Sequence, residues 1–363
     1  DNQTLGRIAG GVDGVYTGGS IASTIINDGA VYGFGYTGIL THGAGSVTNS
    51  GSVSGQSFGI LFSNDPGTVV NTGTISSSAV YPANGSAFFS AGVQLADGGV
   101  VTNSAGGVIR SEWMGVQIGS ATTSVGGTVV NQGTILAADG RGDGAGVWIH
   151  GLGAITNAVG GLVSGGAFGI VAYYQTTVVN RGTVFGTEYA FDAVNPGFAD
   201  RIIDLPGGVF SGVVNGGNTL GSAIYSTLEL ASGSSTGTIV NIGTFTDFGR
   251  IALDAGATWS VGGGFAAGET VAFGGTHADL ILASPSAASG AIMAGFIATD
   301  TIALAGVTDV TKLTFDGDTL VVSESSGRGL ELKFAAPVDL TYNVVGDATD
   351  ITAFRNRLLF GKA

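Results

Sequence analysis

A seven-residue phrase recurs along this chain, and its recurrence constrains the fold more than any other feature. The phrase reads VVNTGTI at 69–75, VVNQGTI at 129–135, VVNRGTV at 178–184 and IVNIGTF at 239–245. With looser copies included, nine asparagine anchors run from Asn27 to Asn241 at a mean spacing of about 27 residues. Repeats of roughly 20 to 50 residues are typical of solenoids, propellers and repeat arrays.

A second phrase, a glycine followed by alternating apolar residues, lies between the anchors. Examples are GILTH at 38–42, GILFS at 59–63 and GVWIH at 146–150. Both phrases alternate with period two, which predicts short strands. Glycine or Asn-x-Gly is expected to supply the positive φ of a tight corner after each strand. Since one coil of three such strands cannot bury its inner face alone, it must stack on a similar coil.

We therefore predict an all-β fold, a right-handed parallel β-helix (β-solenoid) of about ten coils. Residues 1–260 carry the repeats and form this β-helix. The phrase disappears in 261–363, where longer strands and hairpin turns follow. This second part is predicted to be a C-terminal β module that continues or caps the stack, or serves assembly, because an open end of a β-helix is an exposed sheet edge.

The recurring asparagine is predicted to occupy one structural corner in each coil. Two interpretations remain open at this point. Stacked amides form a hydrogen-bonded ladder, or each asparagine only tolerates a left-handed backbone at the corner. The predicted corner positions are Asn27, Asn49, Asn71, Asn103, Asn131, Asn157, Asn180 and Asn241.

Composition narrows the class of protein. Glycine supplies 67 of 363 residues, only 10 % of residues are charged, and the formal net charge is −14. The low charge favours a folded chain over a disordered one, and the acidic balance argues against nucleic-acid partners. No apolar run is long enough for a transmembrane helix. The absence of cysteine fits a bacterial surface protein or a cysteine-free cytosolic one. The first residue, Asp1, suggests removal of a signal segment or a trimmed chain.

The phrases V-x-N-x-G-T-I and N-x-x-G-G-x-I give the chain a family likeness over roughly 15–250. In this region the chain resembles the passenger domains of bacterial autotransporters and filamentous-haemagglutinin-like adhesins. The resemblance implies a β-helix located outside the cell or at the cell surface of a Gram-negative bacterium. It implies much less about function, because such passengers include adhesins, proteases and inert stalks.

Candidate catalytic and metal-binding residues are sparse. FDGDTL at 315–320 suggests calcium only weakly and is typical of a hairpin turn, and zinc, EF-hand and P-loop patterns are absent. His42 and His150 hold the same place in strands four coils apart, too far from each other to act together. The carboxylates near the insertions form no recurring pair: Glu112, Asp139 and Asp143. We predict no enzyme activity, no metal site and no cofactor.

Two insertions, 76–91 and 136–145, follow the same type of strand and are expected to emerge along one edge. Loops on one edge of a solenoid commonly bind partners. Alternatively, the aromatic residues of the first insertion fold back over the side of the β-helix. Three residues of the second insertion have the sequence Arg-Gly-Asp, which is an integrin-type adhesion motif. In a chain so rich in glycine, this tripeptide is also readily explained by chance. The candidate contact residues are Tyr81, Phe88, Phe89, Arg141, Gly142 and Asp143.

From these features we predict a non-enzymatic, secreted bacterial surface protein with a structural or adhesive role. It is expected to assemble with itself, head-to-tail or laterally, into a fibre or surface layer. A host or cell-surface glycan or protein is the other expected partner. The alternative is a polysaccharide-cleaving β-helix enzyme or a phage-type spike. Carboxylates clustered along one groove would favour the enzyme, and a trimer-forming end would favour the spike.

Overall fold

The computed structural model describes residues 1–19, 21–78, 90–120, 122–138, 143–327, 329–336 and 338–353. The chain is all-β and forms a parallel β-solenoid of about 12 turns, which confirms the predicted fold class with slightly more coils than expected. It divides into two compact units, Asp1–Ile202 with Gly208–Gly217, and Ile203–Gly207 with Asn218–Ala363.

Short strands separated by tight corners make up the first unit, and β23 is divided between the two units. The strands are β1 Arg7–Gly10, β2 Val15–Thr17, β3 Ser23–Asn27, β4 Ala30–Gly33, β5 Thr37–Thr41, β6 Gly45–Asn49, β7 Ser52–Gly55, β8 Phe58–Phe62, β9 Gly67–Asn71, β10 Thr74–Ser77, β11 Ala91–Leu95, β12 Gly99–Asn103, β13 Val108–Ser111, β14 Met114–Ile118, β15 Gly127–Asn131, β16 Thr134–Ala137, β17 Ala145–Ile149, β18 Gly153–Asn157, β19 Leu162–Ser164, β20 Phe168–Ala172, β21 Thr176–Asn180, β22 Thr183–Ala193, β23 Arg201–Asp204 and β24 Val209–Asn215.

Three parallel stacks of strands form the walls of the first unit. Stack A contains β3, β6, β9, β12, β15, β18 and β21. Stack B contains β1, β4, β7, β10, β13, β16 and β19. Stack C contains β2, β5, β8, β11, β14, β17 and β20, and the long β22 pairs with both β19 and β20. Each coil therefore contributes one short strand to each wall.

The core of the first unit is a column of β-branched side chains inside each wall. In one coil these are Ile60, Val69 and Ile75, each 0 % exposed. Burying a side chain of this size stabilises a fold by about 1.5–3 kcal/mol. Because the register repeats from coil to coil, like residues lie above like residues, as between Val69 and Val101. This repeated register explains why the same sequence phrase recurs along the chain.

The glycines of the two phrases are required mainly for close approach between coils, not for positive φ as the sequence suggested. A Cβ on Gly92 would lie 2.6 Å from Ile109 Cγ2 and 2.8 Å from the carbonyl oxygen of Gly115 in the next coil. Positive φ occurs instead in the longer N-x-x-G-G variant, at Gly106 (82°) and Gly160 (78°). The extra residue of that variant makes the corner wider, and glycine adopts the resulting backbone without strain.

The second unit contains β-strands and two short 3₁₀ helices, Ile242–Thr244 and Pro285–Ala288. Its strands are β25 Ser226–Leu230, β26 Gly237–Ile239, β27 Phe245–Thr246, β28 Phe248–Leu253, β29 Thr258–Val261, β30 Thr270–Phe273, β31 Asp279–Leu282, β32 Ile292–Ala294, β33 Thr301–Ala305, β34 Val310–Asp316, β35 Thr319–Glu324, β36 Gly329–Phe334, β37 Leu340–Val345 and β38 Ala348–Ala353.

Parallel coils continue in this unit well past residue 260. One stack runs β25, β28, β30, β32 and another runs β26, β29, β31, β33. Antiparallel pairing begins only after β33, in β34–β35–β36 and in β33–β38–β37. The units therefore divide near residues 203–217 and not at 260. Losing the asparagine phrase did not end the coils, because alternating apolar residues such as Leu280 and Ile302 still pair in register.

Candidate functional site

The asparagines that end the strands of stack A form a continuous hydrogen-bonded ladder. Each Nδ2 donates to the Oδ1 of the asparagine in the next coil at 2.7–3.0 Å. No ladder asparagine has a positive φ among the residues described, so the left-handed corner interpretation is wrong. Asn2, which precedes the first phrase, was missed by the sequence analysis. The members are Asn2, Asn27, Asn49, Asn71, Asn103, Asn131, Asn157 and Asn180.

Asn241 does not continue the ladder, although it lies in the same phrase. It is exposed, and its Oδ1 accepts a hydrogen bond from the Gly243 N–H at 3.1 Å, as the N-cap of the 3₁₀ helix Ile242–Thr244. The weaker anchor Asn215 donates instead to Asp192 Oδ1 at 2.8 Å. An asparagine therefore joins the ladder only when it lies at a strand end and stacks on another asparagine. The repeat phrase alone does not predict whether this stacking occurs.

The two insertions leave and re-enter the β-helix at equivalent places. Both follow strands of stack B, β10 and β16, which are joined through β13, and both precede strands of stack C, β11 and β17, joined through β14. Asp143 is described and exposed, and Glu112 is half-buried. The remaining candidates lie outside the described residues, so a contact role for them stays a prediction: Tyr81, Phe88, Phe89, Asp139, Arg141 and Gly142.

The outer face of stack C is unusually apolar and buried, which the sequence analysis did not foresee. Every residue of β5, β8 and β14 is buried, whereas strands of stack A such as β12 alternate between buried and more exposed residues. Leu40 and Leu61 pair in register on this outer face, and each is only 7 % exposed. With Phe58, Ala91 and Met114 they form a cluster against which Trp113 and Trp148 pack.

A groove of about 450 Å³ lies beside this cluster, and we call it the aromatic groove. Gln94, Gln117 and Trp148 line it from successive coils, because they are register partners in β11, β14 and β17. His150 and Tyr173 directly follow two stack C strands, β17 and β20. The side chains that define the groove are Gln94, Trp113, Gln117, Trp148, His150 and Tyr173.

Three nearly parallel rings form one wall of the aromatic groove. The ring centroids of His150 and Tyr173 are 4.8 Å apart with an interplanar angle of 21°. Trp148 is 5.9 Å from each of them, at 29° to His150 and 23° to Tyr173. His150 and Tyr173 lie on adjacent coils, so the strand spacing of about 4.8 Å sets their separation. Nearly parallel rings at this distance lie face to face, so the β-solenoid holds an aromatic stack in place before any partner binds.

One of the lining side chains also has an unsatisfied hydrogen-bond donor, which is buried and not exposed to the groove. Trp148 Nε1 is buried and has no hydrogen-bond partner. Leaving a buried donor unpaired costs about 1–3 kcal/mol, so such a group calls for an explanation. Burial lowers the pKa of His150, which keeps its imidazole neutral at neutral pH. No Asp, Glu, Lys or Arg lines the groove in the described part of the chain.

The histidines occupy separate environments, as their spacing predicted. His150 stacks in the aromatic groove, whereas His42 Nδ1 lies 2.7 Å from Ser63 Oγ and its ring meets Tyr16 edge-on at 5.3 Å. A nucleophilic serine needs a base that a third group orients. No carboxylate among the described residues hydrogen-bonds to His42, so the Ser63–His42 pair lacks that third group.

Sequence alignment of the second phrase could have revealed the groove. The copies GVQIG at 115–119, GVWIH at 146–150 and GIVAY at 169–173 place Gln117 above Trp148, and His150 above Tyr173, once the coils are stacked. Taken only as a strand signal, the phrase predicts strands and does not reveal the aromatic groove.

The described residues contain no group of three or more His, Asp or Glu side chains that could hold a metal ion. FDGD forms the turn of the β34–β35 hairpin, in which Gly317 has a φ of 65°. No helix in the described ranges is long and apolar enough to cross a membrane. No protein-family model matches the chain, and no curated protein matches it significantly. The likeness to autotransporter passengers thus remains a prediction from the repeat phrases.

Proposed function

We propose that this chain is a non-enzymatic bacterial surface protein with an adhesive role, which contacts its partner through the aromatic groove. The observation that carries the proposal is the stack of Trp148, His150 and Tyr173 outside the core. Preformed, mostly apolar recesses with a few polar groups are typical of binding sites. A location outside the cell or at the surface of a Gram-negative bacterium is supported by the repeat phrases.

Binding is favoured over cleavage because of what lines the groove. A glycosidase needs two carboxyl groups about 5–9 Å apart, flanking the bond to be cut. The described lining of the aromatic groove offers amides, hydroxyls and rings, with no carboxyl group. These groups can bind a partner but do not provide the carboxyl pair that would cleave it.

Trp148→Ala is expected to weaken adhesion at least tenfold. Beads coated with the purified chain would be added to epithelial-cell monolayers and to bacterial cell envelopes, and retained beads counted under flow. Removing a central aromatic anchor commonly costs more than the roughly 1.4 kcal/mol that tenfold represents. Tyr189→Ala is the control, since Tyr189 stacks on Phe168 in neighbouring coils but does not line the groove. Equal retention of the Trp148→Ala beads, or no retention on any surface, would contradict the proposal.

Self-assembly is a second candidate function, favoured by the edge strand β37. This strand pairs only with β38 among the described residues, and five of its six residues are exposed. Val344 and Val345 are 44 % and 52 % exposed. An apolar strand edge of this kind readily pairs with a strand of another chain. We propose a second copy of this chain as that partner.

Val344→Lys is expected to shift the protein to smaller species at high concentration, because a lysine on an edge strand opposes pairing. Sedimentation velocity over a concentration series measures the shift. Val159→Lys serves as the matched control, since Val159 is 66 % exposed but lies in a turn. If wild type is monomeric at every concentration, or both variants behave alike, β37 does not mediate assembly.

A further inference from the structure

We propose that the aromatic groove binds an uncharged saccharide chain that lies along the direction in which the coils stack. This inference rests on the proposed function of the groove as a contact surface, and it adds the chemical class of the ligand. Four features carry it: the stacked rings, the polar groups beside them, the absence of charge and the repetition along the coils.

The stacked rings offer an apolar surface. Trp148 and Tyr173 are half-buried, and their rings are nearly parallel at 23°. His150 and Tyr173 cover each other's faces at 4.8 Å, so a ligand meets only the parts of the rings that the stack leaves uncovered. The face of an aromatic ring carries partial negative charge, which attracts the weakly positive C–H groups of a sugar ring. A sugar can therefore pack its apolar side against this uncovered aromatic surface while its hydroxyls point elsewhere.

The polar groups match hydroxyls. The amide side chains of Gln94 and Gln117 each carry donors and an acceptor, and a hydroxyl both donates and accepts. Neither amide makes a side-chain hydrogen bond within the described part of the chain, and Gln117 is only 5 % exposed.

The electrostatics favour an uncharged ligand over an anionic one. No cationic side chain of the described residues lines the groove, and His150 is neutral at neutral pH. The chain as a whole carries a formal net charge of −14, which repels uronic-acid or sulfated polymers. Aromatic rings also attract cations, so a cationic saccharide is the competitor that the experiment must separate.

The repetition along the coils favours a chain over a single sugar. Gln94, Gln117 and Trp148 occupy three successive coils, a span of about 10 Å at strand spacing. A single sugar ring cannot contact both ends of this row at once. We therefore expect affinity to rise from monosaccharide to hexasaccharide.

The test is isothermal titration of the purified chain with defined oligosaccharides. The probes are neutral mono- and hexasaccharides of glucose, galactose and mannose, with hexamers of galacturonate as the anionic probe and of glucosamine as the cationic one. At least one neutral hexasaccharide is expected to bind more tightly than its monosaccharide and than both charged hexamers. Absence of binding by every neutral probe, or tighter binding of a charged hexamer, overturns the proposal.

Variants connect the binding to the groove. Trp148→Ala is expected to lower the affinity at least tenfold, and Trp148→Phe, which keeps a ring of smaller area, several-fold. Tyr189→Ala should bind as wild type does, and thermal melting curves check that each variant is folded. Unchanged affinity in a folded Trp148→Ala or Trp148→Phe protein overturns the assignment of the site.

The saccharide proposal and the adhesive proposal fail in different ways. If coated beads adhere in a Trp148-dependent manner but no neutral saccharide binds, the ligand class is wrong and the adhesive role stands. If adhesion does not depend on Trp148, both proposals fall.

Discussion

Replacing Asn103 with alanine is expected to lower the free energy of unfolding by about 3 kcal/mol or more. Asn103 is 0 % exposed, accepts from Asn71 Nδ2 at 2.9 Å and donates to Asn131 Oδ1 at 2.9 Å. It also donates to the carbonyl oxygens of Gly107 and Thr134. Truncation leaves several of these buried groups without a partner, and each costs about 1–3 kcal/mol.

Urea unfolding followed by circular dichroism measures this effect, and Asn241→Ala is the matched control. Asn241 stands in the same phrase but is exposed and outside the ladder, so its replacement is expected to cost less than about 1 kcal/mol. A similar loss of stability in both variants would show that the ladder contributes nothing beyond an ordinary turn. Large loss from Asn103 alone would support the ladder as the main polar support of the first unit.

Acidification from pH 8 to pH 5 is expected to raise the melting temperature. Burial raises the pKa of Asp200, Asp204 and Glu269 to about 7 each, and each side chain is at most 3 % exposed. In the unfolded chain these pKa values are near 3.8 for Asp and 4.5 for Glu. Between about pH 4 and 7 the native state therefore holds protons that the unfolded state has lost.

The sign follows from this difference in bound protons. Stability contributed by these groups is fully present below about pH 4 and is lost as pH rises towards 7, at up to about 1.4 kcal/mol per pH unit and group. Asp204 Oδ1 has no hydrogen-bond partner, which fits a neutral carboxyl group. Folding should consequently be several kcal/mol more favourable at pH 5 than at pH 8.

Asp204→Asn separates this account from a general effect of net charge. The substitution keeps the shape of the side chain and removes the titration, so it should stabilise the protein at pH 8 and flatten the pH dependence. The measurement is a series of melting curves between pH 4 and 8 for both proteins. Glu188→Gln removes one carboxylate that is exposed and should leave the slope unchanged. A melting temperature that rises with pH, or a slope unaltered in Asp204→Asn, would contradict the account.

The repeat phrases predicted the fold because each coil repeats the same physical problem. Val69, Val101 and Val129 each fill the same inner wall, so period-two alternation and a regular spacing were enough to identify stacked strands. The point at which the coils end was harder to predict. Coils after residue 260 bury residues such as Leu280 without an asparagine beside them, so the last asparagine phrase does not mark the last coil.

The asparagine phrase does not reveal the aromatic groove, which requires the copies of the second phrase to be aligned from coil to coil. Its residues are far apart in the chain and meet only when the register of stack C is known. Gln117 and Trp148 are separated by the second insertion, which hides their alignment, although the structure pairs them directly. Glycine illustrates a subtler difficulty. The sequence shows that Gly92 is present, but whether it serves positive φ or close approach depends on the neighbouring coil.

The central claim is that the aromatic groove is the ligand-binding surface, and the chain offers an internal control for testing it. It has three tryptophans, of which Trp113 and Trp148 line the groove. Trp259 is 0 % exposed in the second unit, and its Nε1 donates to the Ala231 carbonyl oxygen at 2.9 Å. The indole N–H resonances of isotope-labelled protein would be followed by NMR while the tightest-binding neutral hexasaccharide is added. We predict shifts for Trp113 and Trp148, largest for the unpaired Trp148, and none for Trp259. Saturable binding that leaves the Trp113 and Trp148 resonances unmoved would contradict the claim.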